Sequence, residues 1–218
     1  MRYTDMAWPG ARAVKTRSVK TYAKKYDGKV RAKDENKIAV NELLKDMGSV
    51  RGRANGHAII LDSEALLTTK NLIEAGYKAN HIHIPNPFVY AKIKMKHANT
   101  SNILLSEFIE VNKRSRDLIK NTSLAFFDYM VTLDGNTEIP PPPEDIKKYF
   151  KYEYPSNDSI FAVTISLRKK SPGTCYDVNR LDSFITRYAH KYGYIAVKLP
   201  EGKAYNGMFY TIYRIFKS

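Results

Sequence analysis

Hydrophobic positions recur along the chain with two periods, one helical and one alternating, and the switches between them mark the elements. Ile38 to Met47 places Ile38, Val40, Leu43, Leu44 and Met47 near one helical face. Gly48, Gly52 and Gly56 then break the chain into a loop. His57 to Asp62 is a short apolar run closed by an acid, which predicts a buried strand. Ser63 to Ala75 predicts a helix stopped by Gly76. His81 to Ile84 predicts a second strand ended by Pro85-Asn86-Pro87. A third strand is expected at Asn102–Ser106, with a helix from Phe108 to Ile119. The alternative makes Val89–Met95 the strand and 102–119 one long helix.

Ser123 to Thr132 predicts a fourth strand, closed by the turn Asp134-Gly135-Asn136. Four prolines at 140–143 predict a stiff connector into a helix over Glu144–Tyr152. Ser159–Arg168 reads as the fifth strand, and Val178–Tyr192 as a helix stopped by Gly193. Tyr194–Lys198 and Met208–Phe216 close the chain as a hairpin around Gly202 and Gly207. Alternating strands and helices predict an α/β sandwich, a parallel sheet covered on both faces. The closing hairpin makes the last strand antiparallel to its neighbour.

With 218 residues, 43% of them hydrophobic, the chain can bury one core and carry an arm, but not two full domains. No apolar run approaches the roughly 20 residues of a membrane span. The N-terminus has no apolar stretch behind its charges, which argues against a secretory signal. Cys175 is the single cysteine, which excludes a disulfide framework or a Cys-rich zinc site and points to a reducing compartment, cytoplasm or nucleus. The formal charge is +14, and it is uneven. Residues 1–33 carry ten basic side chains against Asp5 and Asp27, a net +8. We therefore divide the chain into a basic arm, 1–37, and a domain, 38–218. Arg12, Lys15, Arg17, Lys20, Lys24 and Lys25 of the arm are candidate phosphate contacts, joined by Arg168, Lys169 and Lys170 after the fifth strand. Tyr3, Trp8, Tyr22 and Tyr26 interleave the arm and can stack on bases or pack it onto the domain. A nucleic acid is the expected partner, and a merely solvated arm is the plain alternative.

Asp128 stands out chemically, because a carboxylate after Leu124-Ala-Phe-Phe127 is costly to bury without a partner. It could orient a substrate amine or accept a proton. Tyr129 beside it offers a ring face and a hydroxyl. Asp62, with Ser63, either meets a ligand's polar groups or caps the following helix, and both can hold at once. Asn86 is held between two prolines, suited to reading a ribose or base edge or to ending a strand. His81 and His83 share a strand face, whereas His57 and His97 stand apart, and no carboxylate or cysteine lies at ligand spacing beside them. No phosphate-binding Gly-rich loop and no serine nucleophile elbow is present.

The strand order, with an acid closing strand one (Ile59-Ile-Leu-Asp62), polar residues closing strand two (Ile84-Pro-Asn86), Phe127-Asp128-Tyr129 in strand four and an aromatic final hairpin, resembles the class I methyltransferases. The resemblance covers roughly 38–218 and implies a three-layer Rossmann-like sandwich, with a mostly parallel seven-stranded sheet. It implies S-adenosylmethionine as cofactor, held at the carboxyl ends of strands one to four, a topological switch point. Carried onto this chain, it places Asp62, Ser63, Asn86 and Glu107 on the cofactor, and Asp128 with Tyr129 on the acceptor side. The chain departs from the family in three places. Leu61-Asp62-Ser63-Glu64-Ala65-Leu66 has no glycine where the family carries a Gly-rich turn. Asn86 stands where an acid usually grips the ribose, and Asp128-Tyr129-Met130-Val131 lacks the prolines of the DPPY-type motif. The function expected is therefore methyl transfer to RNA or DNA. The alternatives are a catalytically inactive nucleic-acid-binding or assembly module, or a protein-interaction or virion-associated subunit.

Overall fold

The computed structural model describes residues 35–50, 52–129, 131–134, 141–167, 178–205 and 208–218. Residues 1–34 of the basic arm and Arg168–Lys170 lie outside the described residues, while 35–37 already belong to the first helix. Helix α1 spans Glu35–Gly48, followed by β1 (His57–Ile60), α2 (Leu67–Glu74), β2 (Ile82–Pro85), α3 (Tyr90–Ile93) and β3 (Thr100–Ser101). Then come α4 (Leu105–Val111), β4 (Thr122–Asp128), α5 (Pro142–Lys151), β5 (Pro155–Ser166) and α6 (Val178–Lys191). Strands β6 (Tyr194–Lys198), β7 (Lys203–Tyr205) and β8 (Met208–Lys217) end the chain.

One sheet runs in the order β3-β2-β1-β4-β5-β8-β6, with short β7 paired to β8. The pairs among β1 to β5 are parallel, and β8 runs antiparallel to β5 and β6. The strand period of two sends neighbouring side chains to opposite layers. Ile59, Ala125, Phe127, Phe161 and Val163 face α4, α5 and α6. Ala58, Ile60, Leu124, Phe126, Ile160 and Ala162 face α1, α2 and α3. Two cores on one sheet make the expected three-layer sandwich. Phe127 and Phe161 meet edge to face at 5.2 Å, and Tyr149 of α5 stacks on Phe161 at 5.2 Å, so aromatic packing fastens the central strands to that helix.

Several boundaries move, each for a local reason. The expected third strand at 102–106 is in fact only Thr100–Ser101, and Leu105 opens α4. Leu105, Phe108 and Ile109 are buried at helical spacing, which the apolar run 103–105 had disguised. Val89–Met95 is not a strand either, since it contains α3. Helix α5 starts at Pro142 rather than 144, because proline in the first turn needs no N–H partner. Gly76 and Gly193 adopt φ of +99° and +81° and do end their helices. Helix α2 begins four residues later than expected, at Leu67, because Leu66 takes a left-handed φ of +52°.

Candidate functional site

Parallel strands β1, β2 and β4 end at one rim, and the loops leaving them carry the acids and amides singled out in the sequence. Leu61 N still donates to Phe126 O at 2.9 Å, and the chain then turns through Asp62 to Leu66. Asp62 is 5% exposed. One carboxylate oxygen accepts from Ser63 N at 2.8 Å; the other accepts from Thr69 N and Thr69 Oγ1, both at 2.8 Å. Thr69 lies in the first turn of α2, whose N-cap position is Leu66, a residue with no side-chain acceptor. Asp62 thus satisfies one helix N–H group, that of Thr69, from outside the helix.

Asn86 ties the rim together. Its Nδ2 donates to Asp62 O at 3.0 Å, its Oδ1 accepts from Phe88 N at 3.1 Å, and its own N donates to Ser101 O at 3.2 Å. The ends of β1, β2 and β3 are thereby linked through one side chain and its backbone. Asp128, at the end of β4, is close enough for its charge to act on Asp62. Burial chiefly pushes the Asp62 carboxyl above the usual carboxylate range; the Thr69 and Ser63 hydrogen bonds oppose this, and Asp128 adds to it. The rim is an acidic corner.

Asp62, Asn86 and Asp128 therefore come together, with half-buried Ser63 donating its backbone N to Asp62. Glu107 does not join them through any described contact. It is exposed in the first turn of α4, where its carboxylate accepts from Leu104 N at 3.1 Å, half of a capping box. Tyr129 corrects the expectation of a stacking face. Its ring is buried against Phe127, and its hydroxyl donates to Asp145 Oδ2 at 2.7 Å. The neighbouring backbone turns it inward, since Tyr129 N donates to Thr164 O at 2.9 Å.

Sequence reasoning missed Asp145 and Thr69. Asp145, in the first turn of α5, is 2% exposed, and burial pushes its carboxyl up to about 7, against the Tyr129 hydroxyl and the Lys148 charge. An acid after prolines reads as an ordinary helix-dipole complement, so nothing in the sequence sets it apart. Thr69 is one of two adjacent threonines in an amphipathic helix.

No protein-family model matches the sequence, and a search of curated proteins finds no match. Solved structures do match. Trm1 from Pyrococcus horikoshii, solved with S-adenosyl-L-methionine, aligns over 83% of this chain and 55% of its own, with a TM-score of 0.59 at 10% identity. The fold is that of the class I methyltransferases. A Haemophilus influenzae protein described as a candidate methylase, HI0767, shares the class I fold with a TM-score of 0.53, 10% identity, and coverage of 82% of this chain and 98% of its own. Escherichia coli YhhF, described as a candidate methyltransferase, gives 0.50 and 10% over 83% and 87%. The chain spans little more than half of Trm1. In the class I fold the rim built by Asp62, Asn86 and Asp128 is the switch-point crevice.

Proposed function

We propose that this chain is an S-adenosylmethionine-dependent methyltransferase acting on nucleic acid. The observation that carries the reading is the acidic corner of Asp62 and Asp128 at the carboxyl rim of a class I sheet. The Asp128 charge helps push the Asp62 carboxyl up, and a cationic ligand at this corner would offset that repulsion. S-adenosylmethionine carries an ammonium and a sulfonium, so the donor set suits it, and Trm1, on the same fold, was solved with it. An ionised carboxylate has about four acceptor sites, so Asp62 retains capacity beyond its three protein hydrogen bonds.

When bound, the cofactor supplies an electrophilic methyl group. Ser63 and the Asp62 loop would hold its polar end, with Asn86 keeping that loop in place. Asp128 would orient the acceptor's N–H or O–H and receive its proton. Rate enhancement would come chiefly from holding donor and acceptor in near-attack geometry. The nucleic-acid assignment rests on the +14 charge and the +8 of residues 1–33, which suit phosphate contacts by the arm and by Arg168–Lys170.

A second reading follows from the loop after β1. It has no glycine, and both Asp62 oxygens already serve the protein, as in an inactive nucleic-acid-binding module on the same fold. Transfer of tritiated methyl from S-adenosylmethionine to pooled cellular RNA and DNA separates the two. Methylation by the parent, reduced at least a hundredfold in Asp128→Asn, supports the enzyme. Binding of nucleic acid with no label incorporated supports the module.

A further inference from the structure

At the opposite, amino-terminal edge of the sheet, two cavities adjoin along the loop between α4 and β4. The first, about 520 Å³, is lined by His57, His81, His83, Phe108, Asn112 and Asp117, among others. The sequence left His57 apart from the other two. The parallel register of β1 and β2, Ala58 opposite Ile82 and Ile59 opposite His83, brings it alongside them. His57 Nδ1 and His83 Nε2 lie 2.9 Å apart, and the His57 and His81 rings stack at 4.5 Å. His81 Nδ1 is buried without a hydrogen-bond partner among the described residues. No trio of His, Cys, Asp or Glu among the described residues is arranged to hold a metal ion.

The second cavity, about 490 Å³, is mainly cationic: Lys113, Arg114, Arg116, Lys120 and Lys151 line it with Tyr152 and Glu153. Lys113 is matched by Glu110 and Lys120 by Glu153. Exposed Arg114 and Arg116 make no ion pair with any described residue. Helix-dipole compensation accounts for Lys148 and Lys151 in the last turn of α5, but not for two guanidinium groups in a loop. Ser115 lines both cavities. A pocket of stacked rings, amides and one carboxylate thus opens beside a cluster of unmatched guanidinium groups, and both volumes are in the range of ligand sites.

We infer that this edge is a second docking site for single-stranded nucleic acid, taking an unpaired base into the His57–His81–Phe108 pocket and its flanking phosphates onto Arg114 and Arg116. Imidazole and phenyl faces stack bases, and amides with a carboxylate meet their polar edges. His57 and His83 suit the base rather than the phosphate because they stay neutral: burial first lowers both rings, then nearby His81 lowers His57 and nearby His57 lowers His83, the latter to about 4. Asp117 counters this at His57 by raising it, and His81 and His97 are the remaining titratable groups whose charge reaches His83. The site lies at the far end of β4 from Asp128, roughly 20 Å for seven residues, so it would anchor a strand rather than present the reacting base.

The test uses the full chain without S-adenosylmethionine, so its outcome is independent of catalysis. A fluorescein-labelled oligouridylate of about twelve nucleotides, within the usual span of such sites, is titrated at several salt concentrations. The arm is common to parent and variant, so the difference between them isolates this edge. The double variant Arg114→Gln/Arg116→Gln should lower the slope of log affinity against log salt by about 1.4, two phosphate contacts on a single strand. Its thermal midpoint should not move. In the parent, ring signals of His57, His81 and His83 in carbon–proton NMR should shift with the oligonucleotide, while those of exposed His190 stay fixed. An unchanged salt slope, or histidine signals that do not move at saturation, would overturn the assignment.

Discussion

Asn86 Nδ2 donates to the main-chain oxygen of Asp62 at 3.0 Å, so the turn after β2 holds the loop after β1. Removing that amide takes the side-chain donor from the main-chain oxygen of buried Asp62. Asn86→Ala should therefore cost about 1–3 kcal/mol, from the penalty of unsatisfied buried groups. Urea unfolding at pH 7 measures it. A loss below a few tenths of a kcal/mol would show that the rim is not fastened by this side chain.

Leu66 sets two effects against each other. Its left-handed φ of +52° costs a non-glycine residue roughly 1–2 kcal/mol, while its side chain is 6% exposed within the α1–α3 core. Large-to-small substitution in a core costs about 2–5 kcal/mol. Burial wins. Leu66→Gly should destabilise by up to about 4 kcal/mol, the difference of those two ranges, even though it supplies the glycine that the class I loop favours.

Gly56 needs its missing side chain for a different reason. Its φ of −84° is open to any residue, but a Cβ there would lie 2.7 Å from Asn121 O and 2.8 Å from Ser123 Cβ. Backbone of the adjoining strand cannot yield as a flexible side chain does. Gly56→Ala should lower stability by about 1–3 kcal/mol or more, as overpacking does. Thermal unfolding read by circular dichroism checks it.

Asp145 and His83 pull stability in opposite directions over one pH window. Asp145 keeps its proton in the fold up to about 7 but loses it near 3.8 when unfolded, so stability falls as pH rises from about 4 to 7. His83 titrates near 6.5 unfolded and about 4 folded, so the stability it contributes is present above 6.5 and lost as pH falls toward 4. Asp145→Asn removes the first effect and keeps an acceptor for the Tyr129 hydroxyl. The variant should exceed the parent at pH 8, on the order of 4 kcal/mol from the pKa difference, and the gap should close near pH 4. Denaturant unfolding at both pH values decides it; a gap that is the same at both would contradict it.

The long strands were legible because both their faces are buried. Leu124-Ala-Phe-Phe127 and Ile160-Phe-Ala-Val163 feed two cores at once, leaving a continuous apolar run. Strand β3 was misplaced because two residues carry no period, and the apolar run beside it belongs to a helix. At the rim, Asp62, Asn86 and Asp128 could be found from strand ends alone. Their partners could not: Thr69 reaches Asp62 across seven positions and a left-handed leucine, and Asp145 reaches Tyr129 across sixteen. Tyr129 was misread because alternation gave it no side; the turn after Asp128 sends it into the core. The histidine cluster needed the β1–β2 register, which one strand's pattern does not contain.

The central claim is that the acidic rim holds an adenosine-bearing cation, and isothermal calorimetry of the full chain with S-adenosylmethionine tests it most directly. Saturable heat with a stoichiometry near one is expected, abolished in Asp62→Ala/Asp128→Asn while the oligouridylate still binds. No heat and no thermal shift at millimolar S-adenosylmethionine, from protein that binds nucleic acid normally, would contradict it.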